Sequence, residues 1–256
     1  MSRLEELIAE LCPNGVEYKK LGDIAAISRG GNLQKKDFCA EGVPCIHYGQ
    51  IYTRYGLFAD RTFTFISEDC AKKQKIAYPN DIVMAVTSEN IEDICKCVAW
   101  LGESTIAVSG HTAIIHHSQN AKYLTYYFHT QMFATQKRRL AHGTKVMEVT
   151  PDTLNSVIVP IPPLQVQSEI VKILDNFTEL TAELTAELTA RKLQYKYYCK
   201  KILKEGKSAV STPIRNLGKW TGGCTPSMAE TVYWENGTIP WISSKDMKVA
   251  TLLDTQ

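Results

Sequence analysis

Leu4, Leu7, Ile8 and Leu11 recur at the spacing of one helix face, and Glu5, Glu6 and Glu10 fall between them, so the chain opens with an amphipathic helix. Cys-Pro-Asn-Gly at 12–15 ends it, because Asn-Gly favours a turn. The next stretch of the chain is strand-rich. Val43 to Tyr48, Thr62 to Ile66, Asp81 to Val86, Cys97 to Leu101 and Thr112 to His116 are rich in β-branched or aromatic residues and are bounded by Gly, Pro, Asn or Asp. A helical period returns between Lys122 and about Leu140, where Leu124, Tyr127, Phe128, Met132 and Phe133 recur, and one helix is predicted there. A last strand, Ser156 to Ile161, runs into prolines.

Pro160, Pro162 and Pro163 lack amide donors and disfavour helix in the residue before each, so the next helix begins at about Pro163. Beyond it Ile170, Ile173, Leu174, Phe177, Thr181, Leu184 and Leu188 form an apolar stripe, and neither Gly nor Pro appears until Gly206. One helix of about 40 residues spans roughly 60 Å. Such a helix is too long to be buried in a domain of this size. Its second half, Lys192 to Lys207, is basic and aromatic, which reads as a solvated or partner-facing surface.

Residues 178–190 read TELTAELTAELTA, the same tetrad written nearly three times. Each leucine in a four-residue repeat advances about 400° and drifts by about 40° per copy, and each copy lengthens the helix by about 6 Å. A tandem of this kind is an adjustable spacer; read alone, it is equally a plain coiled-coil stripe. A second internal similarity adds weight to the spacer. Leu21-Gly22, Gly30-Gly31 and Pro44-Cys45-Ile46 are echoed by Leu217-Gly218, Gly222-Gly223 and Pro240-Trp241-Ile242, with leucine and proline at the same offset.

The expected fold is therefore an α/β (α+β) domain with a mixed, strand-rich core, one long coiled-coil-like helix, and the start of a second, incomplete copy of the domain. The predicted boundaries are 1–163, 164–206 and 207–256.

An apolar fraction of 44% and a charged fraction of 22% are ordinary for a globular protein and argue against disorder along the whole chain. No apolar run of about 18 residues suggests a membrane span, and the acidic opening helix is not a secretory signal, so a cytoplasmic protein is expected. The eight cysteines are scattered without a CxxC pair, which favours reduced thiols. Cys95-Lys96-Cys97 with His111, His116 and His117 fits no zinc-finger spacing, and no metal is expected.

Catalytic motifs are missing as well. Gly30-Gly31 lacks the third glycine and following helix of a cofactor loop, and no Asn/Asp-Pro-Pro-aromatic methyltransferase motif is present. Pro79-Asn80-Asp81 is followed by Glu89 and Glu92 but by no Glu-x-Lys, as a metal-dependent nuclease would need. Ser109-Gly110-His111 has no nucleophile elbow around it.

LCPNGVEYKKLGDIA, GVPCIHYGQI, VPIPPLQVQSEIVKILDNFTELTAEL and NGTIPWISSKDM together resemble the specificity subunit of type I restriction-modification enzymes. The IPPLxxQxxIVxxLD pattern at Ile161 to Asp175 is the most specific of these, and the tetrads point to the subgroup with TAEL repeats in its central helix. The resemblance implies a noncatalytic protein with two target-recognition domains, each reading half of a bipartite site in double-stranded DNA, held apart by long helices that dock methyltransferase subunits. On that reading Ile170, Ile173, Leu174, Phe177, Leu184 and Leu188 form the subunit interface. S-adenosylmethionine, Mg2+ and ATP belong to partner subunits, including a restriction and translocation subunit, and this chain binds none of them.

The resemblance also implies that one tetrad more or less moves the two reading heads by about 6 Å, or about one to two base pairs. The chain departs from the family pattern by stopping soon after its first long helix, as a truncated subunit would. Two such halves pairing through their helices would read a symmetric site; an inert fragment, or a structural adaptor without DNA readout, is the alternative.

Net charge is only +2, so DNA binding would rest on clustered cations. The densest group is Lys137, Arg138, Arg139 and Lys145; Lys72, Lys73 and Lys75 form a second, and Lys35-Lys36 a third. Cations near 137–139 equally suit a helix C-terminus. Base reading requires forked or ring donors and acceptors on loops. Gln50, Arg54 and Tyr55 in the expected loop 47–55, with Asn90 and His111, are the candidates; a satisfied loop hydrogen bond is the competing role for each.

Overall fold

The computed structural model describes residues 2–204 and, beyond them, 212–227, 229–236, 241, 242 and 247. The chain divides into two units, residues 1–189 and 190–256. In the first, the opening helix Arg3–Leu11 is capped at both ends of its first turn, with Ser2 accepting from the Glu5 amide and Glu5 accepting from the Ser2 amide.

Two five-stranded sheets carry the first unit. In one, Thr112–His117 lies antiparallel between Ala25–Arg29 and Ile82–Ala85, followed by Cys97–Trp100 and the parallel edge strand Phe58–Ala59. In the other, Val43–Ile46 pairs antiparallel with Thr64–Ile66 and parallel with Ile106–Val108, and Phe38–Cys39 and Lys75–Ala77 form the edges.

The three central strands of the first sheet, Ile82–Ala85, Cys97–Trp100 and Thr112–His117, are covered on both faces, which is why they read as nearly unbroken apolar runs rather than alternating ones. Ile82, Met84, Cys97, Ala99, Ala113 and Ile115 face the helical layer. Their neighbours Val83, Ala85, Val98, Trp100 and Ile114 face Ile46, Ile106 and Val108 of the second sheet. A register slip of one residue would exchange these two sets.

The single helix expected over 122–140 is two, Ala121–Phe128 and Gln131–Leu140. Thr130 makes the break: its hydroxyl donates to Tyr127 O at 2.7 Å and accepts from the Phe133 amide at 3.3 Å, so it ends one helix and caps the next. The turn lets Phe128 and Phe133 meet at 4.9 Å, both inside the core. The expected loop 47–55 is also corrected, for Tyr48–Thr53 is helical and His47 caps it. The last strand is shorter than expected, Ile158–Pro160, and pairs antiparallel with Tyr18–Lys20.

The long helix runs from Leu164 to Lys204. Its first turns are fixed to the first unit by two polar residues of the Ile161 to Asp175 pattern. Gln167, fully buried, donates to Pro162 O and Gln119 Oε1 and accepts from the Asn120 amide. Asp175 accepts from Lys122 Nζ at 2.6 Å and from the Tyr126 hydroxyl at 2.8 Å. Further along, the hydroxyls of Thr181, Thr185 and Thr189 donate back to carbonyls one turn earlier.

In the second unit the described residues beyond the helix form two short turns of 3-10 helix, Ile214–Asn216 and Thr231–Tyr233. The Trp220 indole donates to Ile214 O, and Trp234 packs edge-on against Trp241. Pro240 of the repeated motif, and Gly206 and Lys207 at the expected helix end, lie outside the described residues. Among the described residues no helix is long and apolar enough to cross a membrane, no His/Cys/Asp/Glu group gathers to hold a metal ion, and all eight cysteines are free.

Candidate nucleic-acid interface

The strand Ala25–Arg29 leaves its sheet through Gly30-Gly31 and crosses to the second sheet. Gly30 N donates to Thr112 O in the first sheet, and Gly31 N donates to Val108 O in the second. The crossing demands glycine, since a Cβ on Gly30 would stand 2.0 Å from Ser109 O and one on Gly31 2.5 Å from Gln74 Oε1. Above this side-chain-free floor lies an open cleft of about 670 Å³.

Arg29, Lys35, Lys73 and Lys75 line the cleft with the rings of His47, Tyr48 and His111. Two of the three cation groups picked out in the sequence thus converge here, because the edge strand Lys75–Ala77 and the segment after Gly31 flank the same crossing. Tyr48 N donates to Ser109 Oγ at 2.8 Å, which pins the start of the short helix to the floor. The rings meet in series at a tilt, His47 to Tyr48 at 4.6 Å and Tyr48 to His111 at 4.8 Å.

His47 itself is held by two hydrogen bonds. Its Nδ1 accepts from the Gly49 amide at 3.2 Å, and its own amide donates to Gln50 Oε1 at 3.0 Å. Gln50 Nε2 donates to Thr64 Oγ1 at 3.2 Å in the neighbouring strand. Burial, with the Lys35 and His111 charges beside it, pushes the His47 pKa down from its ordinary value.

The other candidates are dispersed. Gln50 is buried, and both ends of its amide are used inside the fold. Arg54 is exposed, with its guanidinium 5.8 Å from the Phe63 ring centre. Tyr55 accepts from the Phe63 amide, and burial pushes its hydroxyl up to about 12. Asn90 uses both amide atoms on Asp93. Lys137 closes the same turn by donating to Glu92 O and Ile94 O, while Arg138 and Arg139 stand exposed beside it at the helix end.

Lys145 is exposed on the turn between His142 and Glu148, whose backbones pair. Gly143 in that turn has φ +107°, and a Cβ there would lie 2.2 Å from Val146 O. Arg29 ties this turn to the cleft, pairing with Glu148 at 2.8 Å and donating from Nε to Gly110 O.

Sequence reasoning missed Arg29 and His47. The signal for His47 was present, for a histidine three residues before Gln50 at a helix start is a reciprocal cap. On the long helix Ile170, Ile173 and Leu174 are partly covered, whereas Phe177, Leu184 and Leu188 are 62%, 66% and 54% exposed.

This chain is 54% identical over 106 residues to the type I restriction enzyme EcoR124I/EcoR124II specificity subunit of Escherichia coli, covering 38% of this chain and 26% of that one. It is 25% identical over 177 residues to the type I restriction enzyme MjaVIII specificity subunit of Methanocaldococcus jannaschii, covering 66% and 41%. The chain spans less than half the length of these relatives. A solved chain from work on complex assembly and conformational transition of a type I R-M system matches at a TM-score of 0.58 and 22% identity, over 75% of this chain and 46% of that one, which is a likeness of fold. The family model for the type I restriction modification DNA specificity domain matches residues 13–191, and the chain belongs to that family.

Proposed function

We propose that this chain is the DNA-recognising part of a type I restriction-modification complex and performs no chemistry itself. The observation that carries the reading is the convergence of Arg29, Lys35, Lys73 and Lys75 on one cleft in a chain whose net charge is only +2. Clustered cations neutralise phosphates and supply the salt-dependent part of DNA affinity. Arg54, Arg138, Arg139 and Lys145 are exposed and extend the same role; Gln50, Asn90 and Lys137 position the backbone around it.

Residues 1–163 read one half of a bipartite site, the segment 164–206 spaces and docks, and 207–256 open a second copy. Methyltransferase subunits dock on the face carrying Phe177, Leu184 and Leu188, which is exposed in this chain. Pairing of two such chains through their long helices would supply the second reading head. S-adenosylmethionine, Mg2+ and ATP act on the partner subunits, in the cytoplasm. The test is duplex binding by this chain assembled with its methyltransferase subunit across a salt series. Affinity that falls steeply with salt and differs among sequences supports the reading; affinity indifferent to both overturns it.

A further inference from the structure

The segment that leaves the crossing, Asn32-Leu33-Gln34, alternates exposed, buried, exposed. That is the period of an extended chain, so Leu33 points into the fold while Asn32 and Gln34 share the opposite face and line the cleft. Leu33, only 4% exposed, belongs to the small core of Cys45, Ile66 and Ala107. The backbone of Gln34 is tied to Asp37, donating to its Oδ2 at 2.8 Å and accepting its amide at 3.0 Å. The frame is thus fixed and the side chains are not: neither amide NH2 has a hydrogen-bond partner among the described residues.

The other forked side chains nearby are engaged. Arg29 donates from Nε to Gly110 O and from a terminal nitrogen to Glu148, and Gln50 is turned inward at both ends. Lys35, Lys73 and Lys75 are point charges that suit phosphates. An amide offers a donor and an acceptor side by side, which matches N7 and N6 of adenine; a phosphate can use the donor alone.

The internal repeat separates these two roles. Gly30-Gly31 recurs as Gly222-Gly223, but Cys224-Thr225-Pro226 follows in place of Asn32-Leu33-Gln34. A residue that holds a phosphate serves any sequence and has no reason to differ between two copies of one frame. A residue that reads a base changes with the base.

Resting on the DNA-recognition reading, we propose that Asn32 and Gln34 are the specificity-determining pair of this domain, each reading the major-groove edge of an adenine. Lys35, Lys73 and Lys75 hold phosphates of the same duplex. Residues two apart on an extended chain are separated by about 6.6 Å, close to two base-pair steps, so the two adenines lie about two steps apart within one half-site.

The test uses the full chain assembled with its methyltransferase subunit and a panel of labelled duplexes: the motif methylated in cells, that motif with one base pair of the half-site replaced at a time, and a random sequence. Asn32→Ala should weaken binding to the motif on the order of tenfold and lose discrimination at one A·T pair; Gln34→Ala should do so at a second, about two steps away. Both should keep the random-sequence affinity and the salt slope, because no phosphate contact is removed. Discrimination is a ratio of affinities within one variant, so a change in the folded fraction leaves it unaltered. Lys73→Ala supplies the contrast, weakening every duplex alike and flattening the salt slope by about 0.9. Full discrimination at every position in both amide variants, or a loss shared equally by the motif and the random duplex, would overturn the proposal. Failure of the unmodified complex to bind any duplex would instead overturn the DNA reading on which it rests.

Discussion

Gln50 Oε1 accepts the backbone amide of His47 at 3.0 Å, closing a reciprocal cap in which His47 Nδ1 accepts the Gly49 amide at 3.2 Å. A residue whose forked amide suggests base reading is therefore the support of the ring beside it. Gln50→Leu leaves the His47 N–H and Thr64 Oγ1 without this partner, and should destabilise the chain by about 1–3 kcal/mol in denaturant unfolding. If Gln50 only positions, the recognised bases stay the same in that variant; an altered motif would show that Gln50 reads DNA directly.

Gln167 joins the start of the long helix to the sheet domain through three hydrogen bonds, to Asn120, Pro162 and Gln119. Gln167→Ala strands a buried amide and a buried carbonyl and should cost about 2–4 kcal/mol. Hydrogen exchange should show faster exchange at 164–171. Unchanged stability would mean that apolar packing by Val166 and Val171 suffices to hold the helix.

The helix face that carries the tetrads behaves differently. Leu184 and Leu188 are 66% and 54% exposed, so Leu184→Ala with Leu188→Ala should change stability by less than about 0.5 kcal/mol per site. The same pair should lower the mass of the assembled complex with the methyltransferase subunit in sedimentation. Full-size assembly would remove this face from the docking surface.

His117 gives the fold a dependence on pH. Burial, reinforced by His116, pushes its pKa down to about 4. The unfolded chain, titrating near 6.5, takes up the proton first, so the stability present above pH 6.5 is lost as pH falls and is gone below about 4. The loss is roughly 3 kcal/mol. His117→Gln should flatten the stability profile between pH 6.5 and 4, and an unchanged profile would assign it to other groups.

Val43–Ile46, Thr64–Ile66, Ile82–Ala85, Cys97–Trp100 and Thr112–His117 were legible because each is a short apolar run between turn formers, and the long helix because no breaker interrupts it; Ala25–Arg29, Lys75–Ala77 and Ile106–Val108 were not picked out, being too short or too polar to show such a run. Thr130 was not legible as a break, since it sits inside an unbroken helical period and acts through one hydroxyl. The cations at 35, 73 and 75 were visible singly, but their convergence depends on the Gly30-Gly31 crossing between two sheets, a long-range event that local pattern does not encode. The burial of Gln50 was not legible for the same reason: Thr64, which holds its Nε2, lies on a strand that follows in the chain.

The account rests on a division of labour in which the sheet domain reads bases and the helix sets distance. Its most direct test is to delete residues 182–185, one tetrad, and to map methylated sites in cells that carry the variant with its methyltransferase subunit. The account predicts the same half-sites, separated by a gap altered by about one to two base pairs. Altered half-site bases, or an unaltered gap, would contradict it.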